Sequence, residues 1–173
     1  MVVRYFKVIP RSLRARKAIN AIRVRSSQFK KALRQNDEQR QDQAAEAAWS
    51  SMTQLFECLR NERDYKYLDA SELQRPVGLI VERVEQNALS AMVARTRLDR
   101  HHPDCKPLTQ NDALNKLAHY DESNTTYRID GRGAHFLLLV GSRHGHKWIA
   151  EFLVSRLCQS AAEAAKTIRQ CSR

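Results

Sequence analysis

The spacing of the hydrophobic residues changes at Pro76, and this change limits the chain to a mixed fold. Before Pro76, hydrophobic residues recur every three or four positions over residues 13–35 and 45–59, which predicts two amphipathic helices. After Pro76, dense β-branched runs and alternating patterns predict strands. Because the helices come first and the strands follow, we expect an α+β fold. Its parts are an N-terminal helical hairpin, an antiparallel sheet of about five strands and a closing C-terminal helix.

The region before Pro76 is predicted to be mostly helical. A loose alternation over residues 2–9 favours a short strand that Pro10 ends, and Ser12 is the expected N-cap of the first helix. A polar stretch at residues 35–43 separates the two helices, which we expect to form an antiparallel hairpin with their apolar stripes in contact. Ser71 is a candidate cap for one further short turn.

The region after Pro76 begins with the strand prediction for residues 77–84. Residues 86–87 are predicted as a tight turn and residues 88–98 as a second strand. In that strand four residues face inward, and Arg95 and Arg97 face outward; the inward residues are Met92, Ala94, Thr96 and Leu98. The alanine-rich start of this segment is equally typical of a helix, and that alternative stays open.

The remaining elements are read from turn and capping signals. Two prolines predict a loop at residues 101–107, and Thr109 with Asp112 predicts a capped helix over residues 110–119. A glycine-bearing turn at residues 130–133 predicts a hairpin of residues 125–129 and 134–141, followed by a strand over 147–154 and a helix over 160–169. We expect residues 1–75 and 76–173 to pack as one compact unit.

Charge is distributed very unevenly along the chain. The first 35 residues contain eleven lysines and arginines and no aspartate or glutamate. The whole chain has 30 basic and 19 acidic residues, so the basic residues that remain after position 35 only balance the acidic ones. The net charge of +11 therefore comes from the N-terminal fifth, which indicates a polyanionic partner.

Nucleic acid is the polyanion that this segment fits best. Arginine offers a planar fork to phosphates, Tyr5 and Phe6 are available for stacking on bases, and the first helix lacks the Trp- or Leu-rich face of membrane-surface helices. We therefore expect a small, non-enzymatic RNA- or DNA-binding protein, with protein partners if it belongs to a nucleoprotein assembly. The predicted contact residues are Arg11, Arg14, Arg16, Lys17, Arg23, Arg25, Lys30, Lys31, Arg34, Arg95, Arg97, Arg132, Arg143 and Lys147.

Two other classes of function remain as alternatives. The order of His101, His102 and His119 resembles, loosely, a metal-dependent nuclease site in which one histidine activates water and others hold a cation. His144 and His146 are a second histidine pair that could bind a metal or a phosphate at a hairpin tip. The third class is an inhibitor or adaptor module that binds an acidic protein surface.

No cofactor motif or complete metal motif is present, so we expect neither group. The cysteines at positions 58, 105, 158 and 171 form no CxxC pair, and we expect free thiols in a reducing, cytoplasmic setting. An arginine-rich, acid-free N-terminus is also typical of a mitochondrial transit peptide, which is the alternative location.

Overall fold

The computed structural model describes residues 10–169, so the predicted strand at residues 2–9 lies outside the described part of the chain. The elements run in the order α1 (Arg11–Arg34), α2 (Glu38–Asp64), β1 (Pro76–Glu82), α3 (Gln86–Ala94), β2 (Cys105–Thr109), α4 (Gln110–Leu117), β3 (Thr126–Ile129), β4 (His135–Arg143), β5 (His146–Leu153) and α5 (Val154–Thr167). Short 3-10 helices occupy Ala70–Leu73 and Glu122–Asn124. The α+β prediction is confirmed.

The two long helices form the predicted hairpin. The predicted apolar stripe of α1 is buried at Ala15, Ile19 and Ile22, and that of α2 is buried at Met52 and Leu55. These residues belong to one hydrophobic cluster, which also contains residues of the sheet and of α5. The hairpin is therefore held by the same core as the sheet, and its position relative to the sheet is fixed by packing.

The sheet is antiparallel throughout, with strand order β2-β1-β5-β4-β3. Alternate residues of β5 face opposite sides of the sheet. Trp148, Ala150 and Phe152 lie in the core cluster with α1, α2, α4 and α5, which defines the helical face of the sheet. Ile149 lies on the opposite face, in a smaller cluster with Leu89 and Met92 of α3.

The strand prediction for residues 88–98 is wrong, and the helical alternative is correct. The segment forms α3, which begins at Gln86, so the predicted turn at residues 86–87 is wrong as well. Leu89 and Met92 are buried against the sheet, and this three-residue spacing is helical. Leu98 is also buried, whereas Ala94 is exposed. An alanine-rich segment satisfies either pattern locally, and packing against the second face of the sheet selects the helix.

The predicted loop at residues 101–107 is wrong at its end, where β2 begins at Cys105. Pro107 lies within β2, opposite Leu79 of β1. Proline lacks a backbone N–H, but β2 is an edge strand, and an edge residue needs no donor on its open side. A proline at this position is therefore compatible with an edge strand as well as with a loop.

Three end positions also differ from the predictions. Pro10 precedes α1 with no side-chain cap, and Ser12 is buried inside the helix. Asp69, rather than Ser71, caps the 3-10 helix by accepting a hydrogen bond from the Ser71 N–H at 2.9 Å. Helix α5 begins at Val154, directly after β5 and six residues before the predicted start. Thr109 does cap α4, since its hydroxyl oxygen accepts from the Asp112 N–H at 3.1 Å.

Candidate functional site

The exposed side of α1 carries charge of one sign only. Helix α1 carries nine basic residues and no acidic one. Its apolar stripe is buried against the core, so the basic side chains lie on the remaining arc. Arg14, Arg16, Lys17, Arg23, Lys31 and Arg34 are exposed, and Arg11, Arg25 and Lys30 are half-buried. A helix of this length spans about 36 Å.

Few of these charges are neutralised within residues 10–169. Arg11 forms an ion pair with Glu62 at 3.3 Å, and Arg25 donates to the amide oxygen of Gln28 at 2.8 Å. No carboxylate of the described chain pairs with the other seven basic residues of α1. Their positive charge is therefore available to an external anion.

The two flanks of α1 differ in charge. On one flank, Arg14 and Lys17 line a groove with Glu57 and Glu62 of α2, so acidic side chains lie near those cations. On the other flank α1 packs on α5, where Arg23 lies near the Cys158 thiol. Burial raises the pKa of Cys158 to about 11, against a smaller lowering by Arg23. That thiol is therefore protonated at neutral pH.

The inner side of α1 is anchored to the sheet by a buried histidine. Ser26 Oγ and His135 Nδ1 of β4 are hydrogen-bonded at 2.8 Å, with the donor set by the imidazole tautomer. Phe29 stacks on the His135 ring at a centroid distance of 5.2 Å, and Tyr127 packs at 5.4 Å. Burial, with a further contribution from the Lys30 charge, lowers the pKa of His135 to about 4. The imidazole is therefore neutral in the folded protein at pH 7.

We expect His135 to make folding stability fall as the pH is lowered from 6.5 to 4. The unfolded chain binds a proton at this histidine near pH 6.5, whereas the folded chain binds it only near pH 4. The full stability is present above pH 6.5, and up to about 3 kcal/mol is lost by pH 4. Urea unfolding at pH 7 and pH 4.5 measures this loss.

The matched variant for this measurement is His135→Gln, which cannot titrate in this range. Other groups also change stability with pH, so the decisive quantity is the difference between the two proteins. We expect the free energy of unfolding to fall less between pH 7 and pH 4.5 in the variant. Equal losses in both proteins would show that His135 does not carry the effect.

The predicted basic residues outside α1 do not form one surface with it. Arg95 and Arg97 follow α3, on the opposite face of the sheet from α1. Arg132 lies in the β3–β4 turn, at the end of the sheet where His135 meets α1. Arg143 and Lys147 lie at the far end of β4, about 26 Å away for a strand of this length. Of the five, only Arg132 lies near α1.

The histidines are dispersed in the same way. His101 and His102 lie in the loop before β2, where the His102 ring nitrogen Nδ1 accepts from the Asp104 N–H at 3.2 Å. His119 lies after α4, and His144 with its positive φ of 51° forms the β4–β5 turn. Among residues 10–169, no group of three or more His, Cys, Asp or Glu side chains could hold a metal ion. The nuclease hypothesis therefore gains no support from the arrangement.

The structure also brings together basic residues that the sequence did not single out. Lys106 and Lys116 lie beside Arg143 and His119 in a pocket at the end of the sheet. Lys106 is on the edge strand β2 and Lys116 is on α4. Their proximity depends on the pairing of β1 with both β2 and β5, and no spacing within the sequence indicates it.

Comparison with known proteins adds no family to these observations. No protein-family model, curated protein or solved structure matches this chain. No helix among residues 10–169 is long and apolar enough to cross a membrane. The class of protein that the structure shows is an α+β fold whose first helix carries an unbalanced positive charge.

Proposed function

We propose that this protein binds nucleic acid through the exposed side of α1. The observation that carries the proposal is the acid-free sequence of α1, together with its eight basic side chains that have no carboxylate partner in the described chain. A row of unpaired cations gains free energy by replacing the counterions of a phosphate backbone. Surface helices that serve only solubility usually interleave acidic and basic residues.

The packing of α1 favours contacts with phosphates over contacts with bases. A helix that reads base edges lies deep in the DNA major groove. Helix α1 is flanked by α2 on one side and α5 on the other, so only its outer arc can approach a polynucleotide. Phosphate contacts carry no sequence information by themselves. We therefore propose affinity for RNA or DNA with little sequence preference, alone or within a nucleoprotein assembly.

The proposal includes a cytoplasmic location. Cys58, Cys105 and Cys158 carry free thiols, and free cysteines are stable where glutathione and thioredoxin keep thiols reduced.

The decisive experiment measures binding of labelled duplex DNA, single-stranded DNA and structured RNA over a salt series. The test variant changes Arg16, Lys17, Lys31 and Arg34 to glutamine. All four are exposed and have no ion pair in the described chain, so the fold should be unaffected. We expect the variant to bind more weakly. Its log affinity should also fall less steeply with log salt, with a slope smaller in magnitude by up to about 3–4 for duplex DNA.

A control variant removes the same number of charges elsewhere. It changes Arg60, Lys66, Arg83 and Arg156 to glutamine; these residues are also exposed and lie off α1. We expect it to keep most of the affinity. Absence of binding by the wild type, or equal losses in the two variants, would refute a nucleic-acid surface on α1.

A further inference from the structure

A second, smaller site lies at the end of the sheet, between α4 and strands β1, β2, β4 and β5. It is a pocket of about 220 Å³. Ile80 and Trp148 form its apolar part, and Lys116 Nζ lies 4.8 Å from the centre of the Trp148 ring. Lys106, His119 and Arg143 also line the pocket. This site is separate from the exposed side of α1.

The two carboxylates of this pocket are already engaged. Glu82 accepts from Lys106 Nζ at 2.5 Å through one oxygen and from Lys116 Nζ at 3.0 Å through the other. The hydrogen bonds from Lys106 and Lys116 lower the pKa of Glu82. Asp112 accepts from the Thr109 hydroxyl at 2.7 Å. The charge of Glu82 is therefore already paired with two lysines within the pocket.

Several hydrogen-bond donors of the pocket, by contrast, lack a partner. The side chains of Arg143, His119 and Asn115 line the pocket, are exposed to solvent and make no hydrogen bond within residues 10–169. These donors can turn towards an acceptor-rich ligand without breaking a contact of the fold.

The net charge of the side chains that line the pocket also favours an anionic ligand. Lys106, Lys116 and Arg143 outnumber the carboxylates of Glu82 and Asp112 by one, before any contribution from His119. A phosphate group offers three or four oxygens, each able to accept more than one hydrogen bond, and so suits donors that converge from several elements. From this geometry we infer that the pocket binds a phosphate dianion, either inorganic phosphate or the phosphate of a small monoester.

Trp148 lines this site and is positioned by its contact with Gly141 of β4. A side chain at Gly141 would lie 2.7 Å from Cε2 of the Trp148 indole, so the indole packs directly on the glycine backbone. This contact fixes the plane of the indole ring, which forms one wall of the pocket. A wall that is in place before a ligand arrives reduces the entropic cost of binding.

Calorimetric titration of the full chain with inorganic phosphate and with phenyl phosphate tests the site. The ionic strength is held constant with sodium chloride, and the pH is set to 7.5 so that phosphate is mainly the dianion. The test variant is Arg143→Gln, because the Arg143 side chain is exposed and makes no hydrogen bond or ion pair in the described chain. We expect its affinity for phosphate to fall by roughly tenfold or more.

The control variant is Arg132→Gln, which removes an exposed arginine at the opposite end of β4, and it should bind phosphate as the wild type does. The glutamine variant of α1 should also keep phosphate binding, which separates this site from the proposed nucleic-acid surface. Tighter binding of phenyl phosphate would indicate a monoester, and tighter binding of inorganic phosphate the free ion. No saturable binding of either compound, or equal losses in Arg143→Gln and Arg132→Gln, would overturn the inference.

Discussion

Replacing Glu151 by glutamine is expected to destabilise the protein by about 3 kcal/mol. Glu151 is 3% exposed, on the face of β5 that α3 partly covers. Its carboxylate accepts from Arg128 at 3.1 Å and from the Leu98 backbone N–H at 3.2 Å, and Arg100 lies at 3.7 Å. The variant leaves the largely buried guanidinium of Arg128 without its counter-charge, and an unpaired buried charge is costly.

Chemical denaturation of single and double variants measures this effect. The double variant Glu151→Leu with Arg128→Leu removes both charges, so we expect it to be more stable than Glu151→Gln. The control is Glu163→Gln, which breaks an exposed pair with Lys166 and should change stability by no more than about 0.5 kcal/mol. A loss in Glu151→Gln no larger than in this control would mean that the buried pair contributes little to the fold.

Replacing Gly78 by alanine is expected to cost about 3 kcal/mol, because the sheet has no room for a side chain there. Gly78 lies in β1, between Leu108 of β2 and Phe152 of β5. An added Cβ would overlap the carbonyl oxygen of Glu151 and lie 2.6 Å from Cβ of Phe152. The overlap is with backbone, which cannot rotate away, so the strands must separate and weaken their hydrogen bonds.

A second glycine in the chain provides the control for this variant. Gly131 lies in the β3–β4 turn, where an added Cβ would meet nothing within 4 Å, and its φ is not positive. We expect Gly131→Ala to change the free energy of unfolding by less than about 0.5 kcal/mol. Thermal and urea unfolding of both variants give the comparison. Equal stability of the two would show that β1 and β5 can adjust around a methyl group at position 78.

The elements predicted correctly are those whose own residues carry the signal. Helices α1 and α2 have long apolar stripes, and Thr109 with Asp112 marks the start of α4. The β3–β4 hairpin is marked by its glycine-bearing turn. The strand prediction for residues 88–98 was wrong because an alanine-rich segment with scattered apolar residues fits either a strand or a helix. The loop prediction for residues 101–107 missed the start of β2, because proline is excluded from interior strands but is tolerated in edge strands.

One of the two candidate sites could be predicted from the sequence and the other could not. The charge of α1 is visible in the sequence, since it depends only on which residues occur in one continuous helix. The pocket lined by Lys106, Lys116 and Arg143 is not visible, because its members come from β2, α4 and the β4–β5 hairpin. Alternation along a strand puts Glu151 on the face opposite Trp148, yet its burial with Arg128 and Arg100 depends on β3 and on the loop after α3.

The sequence by itself determined the mixed fold, the helical hairpin and the concentration of positive charge in the first helix. Each of these follows from local periodicity and composition, which act over one or two turns of helix or a few residues of strand. Only the tertiary structure decided the strand order, the covering of the second sheet face by α3, and the meeting of Lys106, Lys116 and Arg143. These depend on contacts between residues far apart in the chain, whose free energy comes from burying shared surfaces that no single segment possesses.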